Sequence, residues 1–470
     1  MNNTKHNLHR LCGLFIAIIM CTNIPLFASN TEEFTKGFEN IFGASIFICL
    51  LYLLIVISKL DWIKLSPVVL LFASAFVVRL ILAAMYKGHL TDMSCWSGWA
   101  TAMAEHGPIH FYDSMDFADY PPGYMLILWP IGILLKNFGV PSNPALYSII
   151  LKLPIFIFDM LAGIVIYKYA VKKNFVSPLF LAGALLFNPA VLFSSAIWGQ
   201  VDMVLCFFVI GMIIAFYEGK LTLASLAFVG GLLIKPQMFL FGPVFIIGYI
   251  YYFKGRTLKS VMHDTLVAAS IAIATFLAIF IPFIVTKGDP LWILELYFST
   301  MGSYAYGSVN AINLISLLGG LWAPDTDLFM GVSYKTIGSW LIILSIAYTF
   351  FLAIRDKSRK NFSLYAGLMI LSIFTVGHHM HERYIFPALI CMFVSYMYVP
   401  KRSTLVFMLY FSVLQVLNMA LVLQNVHLFS DMPFISLLSL AQVCGFIAFC
   451  SYCFMQSSSK DTESIDKASA

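Results

Sequence analysis

The sequence predicts an all-α integral membrane protein, a polytopic bundle of about 12–14 transmembrane helices, with a long first loop on the outer side that carries interfacial helices. Three observations predict it. Of 470 residues, 60% are hydrophobic and only 11% charged, with a mean hydropathy of +0.88. A soluble domain averages about half apolar and about a quarter charged, so the bilayer must solvate most of this surface. Apolar runs of spanning length recur along the chain. Finally, lysines and arginines fall in alternate loops, as the positive-inside rule requires.

The runs lie at about 11–28, 41–58, 66–86, 148–170, 178–198, 201–218, 221–235, 237–253, 262–285, 336–354, 361–378, 384–400, 404–424 and 434–454. Lys5 and Arg10 precede the first, Lys59 and Lys64 follow the second, and Lys168, Lys172 and Lys173 follow the fourth. Further clusters are Lys254, Arg256 and Lys259; Arg355, Lys357, Arg359 and Lys360; and Lys401 with Arg402. Alternating the spans puts every cluster on one side, read as cytoplasmic together with the N-terminus. The first run also fits a signal peptide ending near Ala28, and a retained helix is the reading adopted. Four regions follow: a two-span extension at 1–65, a membrane core at 66–400, C-terminal spans at 401–455, and a polar tail at 456–470 expected to be disordered. Eight of the nine cysteines fall in apolar runs, and only Cys95 lies in a polar segment. No disulfide framework or metal-ligand spacing is visible. The net charge of +5 is spent on topology and does not point to nucleic acid.

The outer face receives the long loops, about 87–147 and 286–335, and short turns at Gly199–Asp202, Lys235–Gln237 and Gly377–Arg383. Asp92 stands where the span holding Arg79 gives way to the first loop, a position suited to general-base work on an incoming hydroxyl. Asp119, beside Tyr120-Pro121-Pro122, is the second candidate; Asp113 and Asp116 read as solvated. The stretch YPPGYMLILWPIGILLKNFG is apolar, yet a crossing there would invert every later loop, so it reads as an interfacial helix with its prolines at the start. Lys152 and Asp159 lie two turns apart in the fourth span. Intramembrane charges are functional candidates by default, and a packing hydrogen bond or internal ion pair is the equal alternative.

FNPAVLFSSAIWGQVD brings Trp198, Gln200 and Asp202 to the outer face, where with Tyr120 they are candidates to grip a sugar or acceptor. GLLIKPQMF places Lys235 and Gln237 at an outer helix turn. GHHMHERYIFP is the densest polar cluster. Its histidines lack the spacing of a helical metal pair, so no metal is assigned. Arg383 and His381, with Glu382, suit a lipid phosphate through charge-assisted hydrogen bonds.

Taken in order, these motifs resemble the GT-C glycosyltransferases, in particular the dolichyl-phosphate-glucose-dependent glucosyltransferases of asparagine-linked glycosylation and their bacterial relatives. The likeness rests on Thr91-Asp92, Asp119–Pro122, Lys152 with Asp159, Gly199–Asp202, Lys235–Gln237 and His381–Arg383. SVNAINLISLLGG at 308–320 resembles a stretch common in bacterial members. The likeness covers about 66–400. Gly-Gln-Val-Asp differs from the eukaryotic turn, Pro236 interrupts the Lys-Gln pair, and two N-terminal spans are extra. The resemblance implies inverting transfer of a glucose- or mannose-type hexose from a polyprenyl-phosphate sugar to a lipid-linked glycan, an envelope polysaccharide or a protein outside the cell membrane. Asp92 would be the base, and Arg383, His381 and Lys235 would hold the donor phosphate. Some members need a divalent ion and others do not, so no cofactor is assigned beyond the donor. A transporter of lipid-linked glycans and a non-catalytic subunit of an envelope-assembly complex are the alternatives; a transporter would favour midplane charges and inverted repeats, which the sequence lacks.

Overall fold

The computed structural model describes residues 66–139, 142–302, 304–356, 358–424 and 433–458. The first two apolar runs, the 1–65 extension and most of the polar tail lie outside the described residues. The chain divides into two units, 1–82 and 83–470. The first contributes most of one helix, α1 (Pro67–Met85), within which Arg79 donates to the Ala75 carbonyl.

The second unit opens with α2 (Leu90–Ser114), α3 (Pro122–Phe138) and α4 (Pro144–Lys172). Then come α5 (Pro178–Leu186), α6 (Pro189–Leu192), a π-helical turn at Phe193–Trp198, α7 (Asp202–Tyr217) and α8 (Leu221–Ile234). A 3-10 turn at Pro236–Phe241 leads into α9 (Gly242–Phe253), followed by α10 (Leu258–Lys287) and α11 (Trp292–Gly302). After α12 (Leu314–Leu317) come α13 (Tyr334–Arg355), α14 (Phe362–Val376), α15 (Phe386–Tyr398), α16 (Arg402–Leu423) and α17 (Pro433–Ser457).

Twelve of the predicted apolar runs fall within the described residues, and every one is helical. Seven helices among the described residues are long and apolar enough to cross a membrane, or up to eight if the bent pair Pro178–Leu186 and Pro189–Trp198 is one span. That is fewer full crossings than the sequence predicts. The difference has a local cause. Helices α7, α8, α14 and α15 have 16, 14, 15 and 13 residues. At about 1.5 Å per residue these are roughly 20–24 Å long, short of the roughly 30 Å hydrocarbon thickness. Each stops at a polar turn: α7 begins after Gly199-Gln200, α8 ends at Lys235-Pro236, and α14 and α15 are separated by the His-His-Met-His-Glu-Arg segment.

The first long loop is largely helical. α2 packs along α3, and Gly132 permits it, since a Cβ there would run into the Ala100 carbonyl. α2 turns sharply at Gly107, whose φ of 75° precedes Pro108. The second loop holds two small sheets. Ser308–Val309 pairs in parallel with Met380–His381, and Leu328–Phe329 pairs antiparallel with Val332–Ser333. The 308–320 stretch therefore forms a ladder with the histidine-rich turn, and Asn418 of α16 fixes it by donating to the Asn310 carbonyl and accepting from the Ile312 amide.

The basic loops converge on one end of the bundle. Lys172 and Lys173 at the end of α4 pair with Glu218 at the end of α7. Tyr217 donates to the Lys360 carbonyl, Arg359 to that of Lys254, and the rings of Tyr217 and Tyr398 stack. The sequence motifs at Asp202, Lys235 and Arg383 sit at the other ends of α7, α8 and α15.

Candidate functional site

The site is built where α2 starts. Asp92, in the first turn of α2, receives the Trp198 indole N–H on Oδ2 at 2.6 Å and the Gln200 amide on the same oxygen at 3.0 Å. His89 Nδ1 lies 3.5 Å from that oxygen, and its ring stacks on Trp198 with centroids 4.5 Å apart. Among the described residues no hydrogen bond falls on Oδ1. The carboxylate is therefore gripped on one oxygen and left open on the other, and its side chain is 15% exposed. Burial works to raise its pKa, but the Arg383 charge, the His89 ring and the Trp198 indole outweigh it and hold the carboxyl well below the usual range.

Asp119 faces the same space from the start of the α3 corner. That corner is fixed by aromatics: Tyr112 donates to the Tyr120 carbonyl at 2.7 Å, Trp99 to that of Phe117 at 3.0 Å, and Thr300 to that of Asp119 at 3.0 Å. Tyr120 is buried against the edge of Trp96. Burial pushes the Asp119 carboxyl above its ordinary value; Lys235 and Arg383 pull it down by less, and the Asp92 charge adds to the rise. The two carboxylates are thus pushed in opposite directions.

Lys235 is buried and forms an ion pair with buried Asp202, Nζ to Oδ1 2.7 Å. Its ammonium lies 5.7 Å from the Tyr120 ring centroid and 5.9 Å from that of Tyr384. Asp202 Oδ2 is buried with no partner among the described residues. Gln237 follows on the 3-10 turn, its Oε1 buried and likewise without a partner.

The third side is the β4 turn. Arg383 Nη1 meets Glu382 Oε1 at 2.6 Å, while its Nε is buried with no hydrogen-bond partner among the described residues. His381 is buried between Tyr304, edge-on at 4.7 Å, and Tyr384 at 5.0 Å. Burial, and then the Arg383 charge, hold its imidazole well below the usual pKa, hence neutral. His379, at a φ of 59°, binds Asp325 Oδ2 through Nε2 at 2.9 Å, tying the outer loop to this turn.

Asp92, Asp119, Tyr120, Lys235, His381 and Arg383 are therefore in one another's electrostatic field although they span most of the chain. Trp198 and Gln200 belong to the same place, but both are fully buried and their donors are on Asp92. Asp202 pairs with Lys235. Glu382 orients Arg383. Lys152 does not pair with Asp159: its Nζ donates to the carbonyls of Tyr86, Ala196 and Ile197 at 2.7, 2.9 and 3.2 Å. Asp113 forms an outer ion pair with Lys287 at 2.7 Å.

Sequence reasoning missed His89, Tyr304 and Tyr384. His89 carried a signal, standing three residues before Asp92 at the start of a helix; the two tyrosines carried none beyond proximity to other motifs. No group of three or more His, Cys, Asp or Glu side chains is arranged to hold a metal ion among the described residues. An open cleft of about 560 Å³ lies at the opposite, basic end, lined by Lys220, Tyr252, Arg256 and Asp264, and shares no residue with this site. Neither a protein-family model nor a curated protein sequence matches the chain.

Proposed function

We propose that the chain is an inverting glycosyltransferase of the GT-C type, moving a glucose- or mannose-type hexose from a polyprenyl-phosphate sugar to a hydroxyl of a glycan, lipid-linked or protein acceptor on the outer face of the membrane. The observation that carries the reading is Asp92: a carboxylate fixed through one oxygen by Trp198 and Gln200, with the other oxygen open, in the field of the Arg383 guanidinium. The ends of the short helices meeting here suit a substrate whose charged head sits at the membrane boundary while its tail stays in hydrocarbon.

The chemistry follows from the placement. Arg383 and His381 bind the donor phosphate, Arg383 through its planar fork and His381 as a neutral donor. The acceptor oxygen attacks the anomeric carbon, its proton passes to Asp92 Oδ1, and the bond from that carbon to the phosphate oxygen breaks with its electron pair leaving on the phosphate. Attack opposite the leaving group inverts the centre. With Arg383 unoccupied, its charge keeps Asp92 a weak base. A phosphate on Arg383 cancels that charge at Asp92 and raises its proton affinity, so the base gains strength when donor is in place. Asp119, with the higher proton affinity, receives the proton next and passes it to water.

The test uses the purified full chain in lipid nanodiscs with a panel of radiolabelled polyprenyl-phosphate hexoses. Asp92→Asn keeps size and the Gln200 contact but removes the base. It is expected to bind donor normally and transfer sugar at least about a hundredfold more slowly, the lower end of general-base effects. Near-normal turnover in folded Asp92→Asn, or no transfer by the unmodified chain from any donor in the panel, would remove the reading.

A further inference from the structure

We infer that Lys152 is a positioning residue that holds the Asp92 carboxylate in place from beneath, by bridging the two backbone segments that carry Asp92 and its donors. Only the consequence for rate rests on the proposed reaction; the clamp itself is a matter of geometry.

The reasoning starts from the π turn. A helix end leaves carbonyls without intrahelical partners, and a buried one must find other donors. Here Phe193–Trp198 ends at Gly199, which has a φ of 86°. Each of the last four carbonyls has a donor from outside the turn. Ala196 and Ile197 accept from Lys152 Nζ, Trp198 accepts from the His89 amide at 2.9 Å, and Gly199 accepts from the Trp96 indole at 2.9 Å. The third proton of Lys152 goes to the Tyr86 carbonyl, which Ser148 also approaches at 3.3 Å. One fully buried ammonium thus joins the segment entering α2 to the segment leaving the π turn. The first carries His89 and Asp92; the second carries Trp198 and Gln200.

Three protons on three carbonyls is the complete donor set of a lysine, with no carboxylate among those partners. A cation is also the right charge for the carbonyl end of a helix. Gly199 completes the fit: a Cβ there would lie 3.0 Å from Lys152 Cε, so the lysine stem runs along the glycine face. Remove the ammonium, and two buried carbonyls of the turn and one of the α2 approach lose their donor together. The indole and amide then lose their registration on Asp92 Oδ2, and the carboxylate is free to rotate and offer either oxygen.

The experiment has two arms on the full chain in nanodiscs. In the first, hydrogen exchange compares wild type with Lys152→Met. Exchange is expected to quicken by about tenfold or more at both 86–93 and 194–200, with 334–355 unchanged. Lys152→Gln, which retains an amide donor, is expected to fall between, and serves if the Met variant does not fold. Unchanged exchange in both segments, or acceleration throughout the protein, overturns the inference. The second arm is a cycle with Asp92→Asn. Lys152→Met is expected to slow transfer by about tenfold or more in the wild-type background and to cost little more once Asp92 is gone. An equal loss in both backgrounds overturns it. If the unmodified chain transfers no sugar, the proposed function fails, and the exchange arm alone decides the clamp.

Discussion

Helix α7 carries a lysine–carboxylate pair at each end, and the two are opposites. At its start Asp202 meets Lys235, with side chains 1% and 6% exposed. At its finish Glu218 meets Lys172, with side chains 17% and 57% exposed, and Lys173 stands 3.4 Å from the other oxygen. The chemistry is the same and the surroundings are not. The first pair has given up its water, so each charge depends wholly on the other; the second keeps water and has a spare cation. The site end of this molecule is therefore brittle toward single changes of charge, and the basic end is tolerant. Brittle charge kept at that end is what a site for a charged reactant would need, whereas tolerant charge suffices for topology.

The largest expected effect breaks the comparison at its buried end. Lys235→Met leaves the Asp202 carboxylate buried and unpaired, and is expected to cost about 3–5 kcal/mol of stability, read as a lowered thermal midpoint in detergent. Adding Asp202→Leu should recover most of that loss, because an apolar pair needs no compensation. A stable single variant would mean that water reaches Lys235. A middle-sized effect sharpens the contrast between charge and shape. Arg383→Lys keeps the cation but loses the fork, and donor binding is expected to weaken by about tenfold, or about 1.4 kcal/mol, measured by titration with a polyprenyl-phosphate hexose. Unaltered affinity in Arg383→Ala would take the phosphate away from this residue. The smallest effect lies at the wet end. Lys172→Met is expected to change stability by less than about 1 kcal/mol. Acid should reveal the pair instead. Lys172, Tyr169 and Lys173 together draw the Glu218 carboxyl from 4.5 down to about 2 against the opposing effect of burial. Its contribution is thus full above pH 4.5 and fades as pH falls toward about 2. Comparing acid unfolding of wild type and Glu218→Gln checks the sign: the difference between them must shrink across that window.

What the sequence made legible was decided by range. An apolar run reports its own helix, and all twelve runs within the described residues are helical. The one-sided basic clusters were legible too, because each sits at the end of a run, and the contacts among Lys172, Glu218, Arg359 and Lys254 bring them to one end of the bundle. Partner choice was not legible. Trp198 and Gln200 stood out as polar groups in an apolar chain, yet their partner Asp92 is over a hundred residues away, and nothing near 198–202 says that a carboxylate will arrive there. The same holds for Lys152. Seven residues from Asp159, it invites an ion pair within one helix, but its ammonium reaches carbonyls on two other segments. Helix length was misread for a related reason: the runs at 201–218 and 384–400 look continuous, while the turns that shorten them are defined by what they touch.

The π turn before Gly199 sets a counting rule for the site. A π turn accommodates one residue more than the α-helix it interrupts. Each residue along an α-helix turns the chain by about 100° and advances it about 1.5 Å. Deleting a single residue between Phe193 and Trp198 would let the segment relax into ordinary α-helix and swing the Trp198 indole by roughly that angle, away from Asp92. Insertions and deletions here would act as changes of phase, with α6 on one side and α7 on the other left intact and the indole facing the wrong wall.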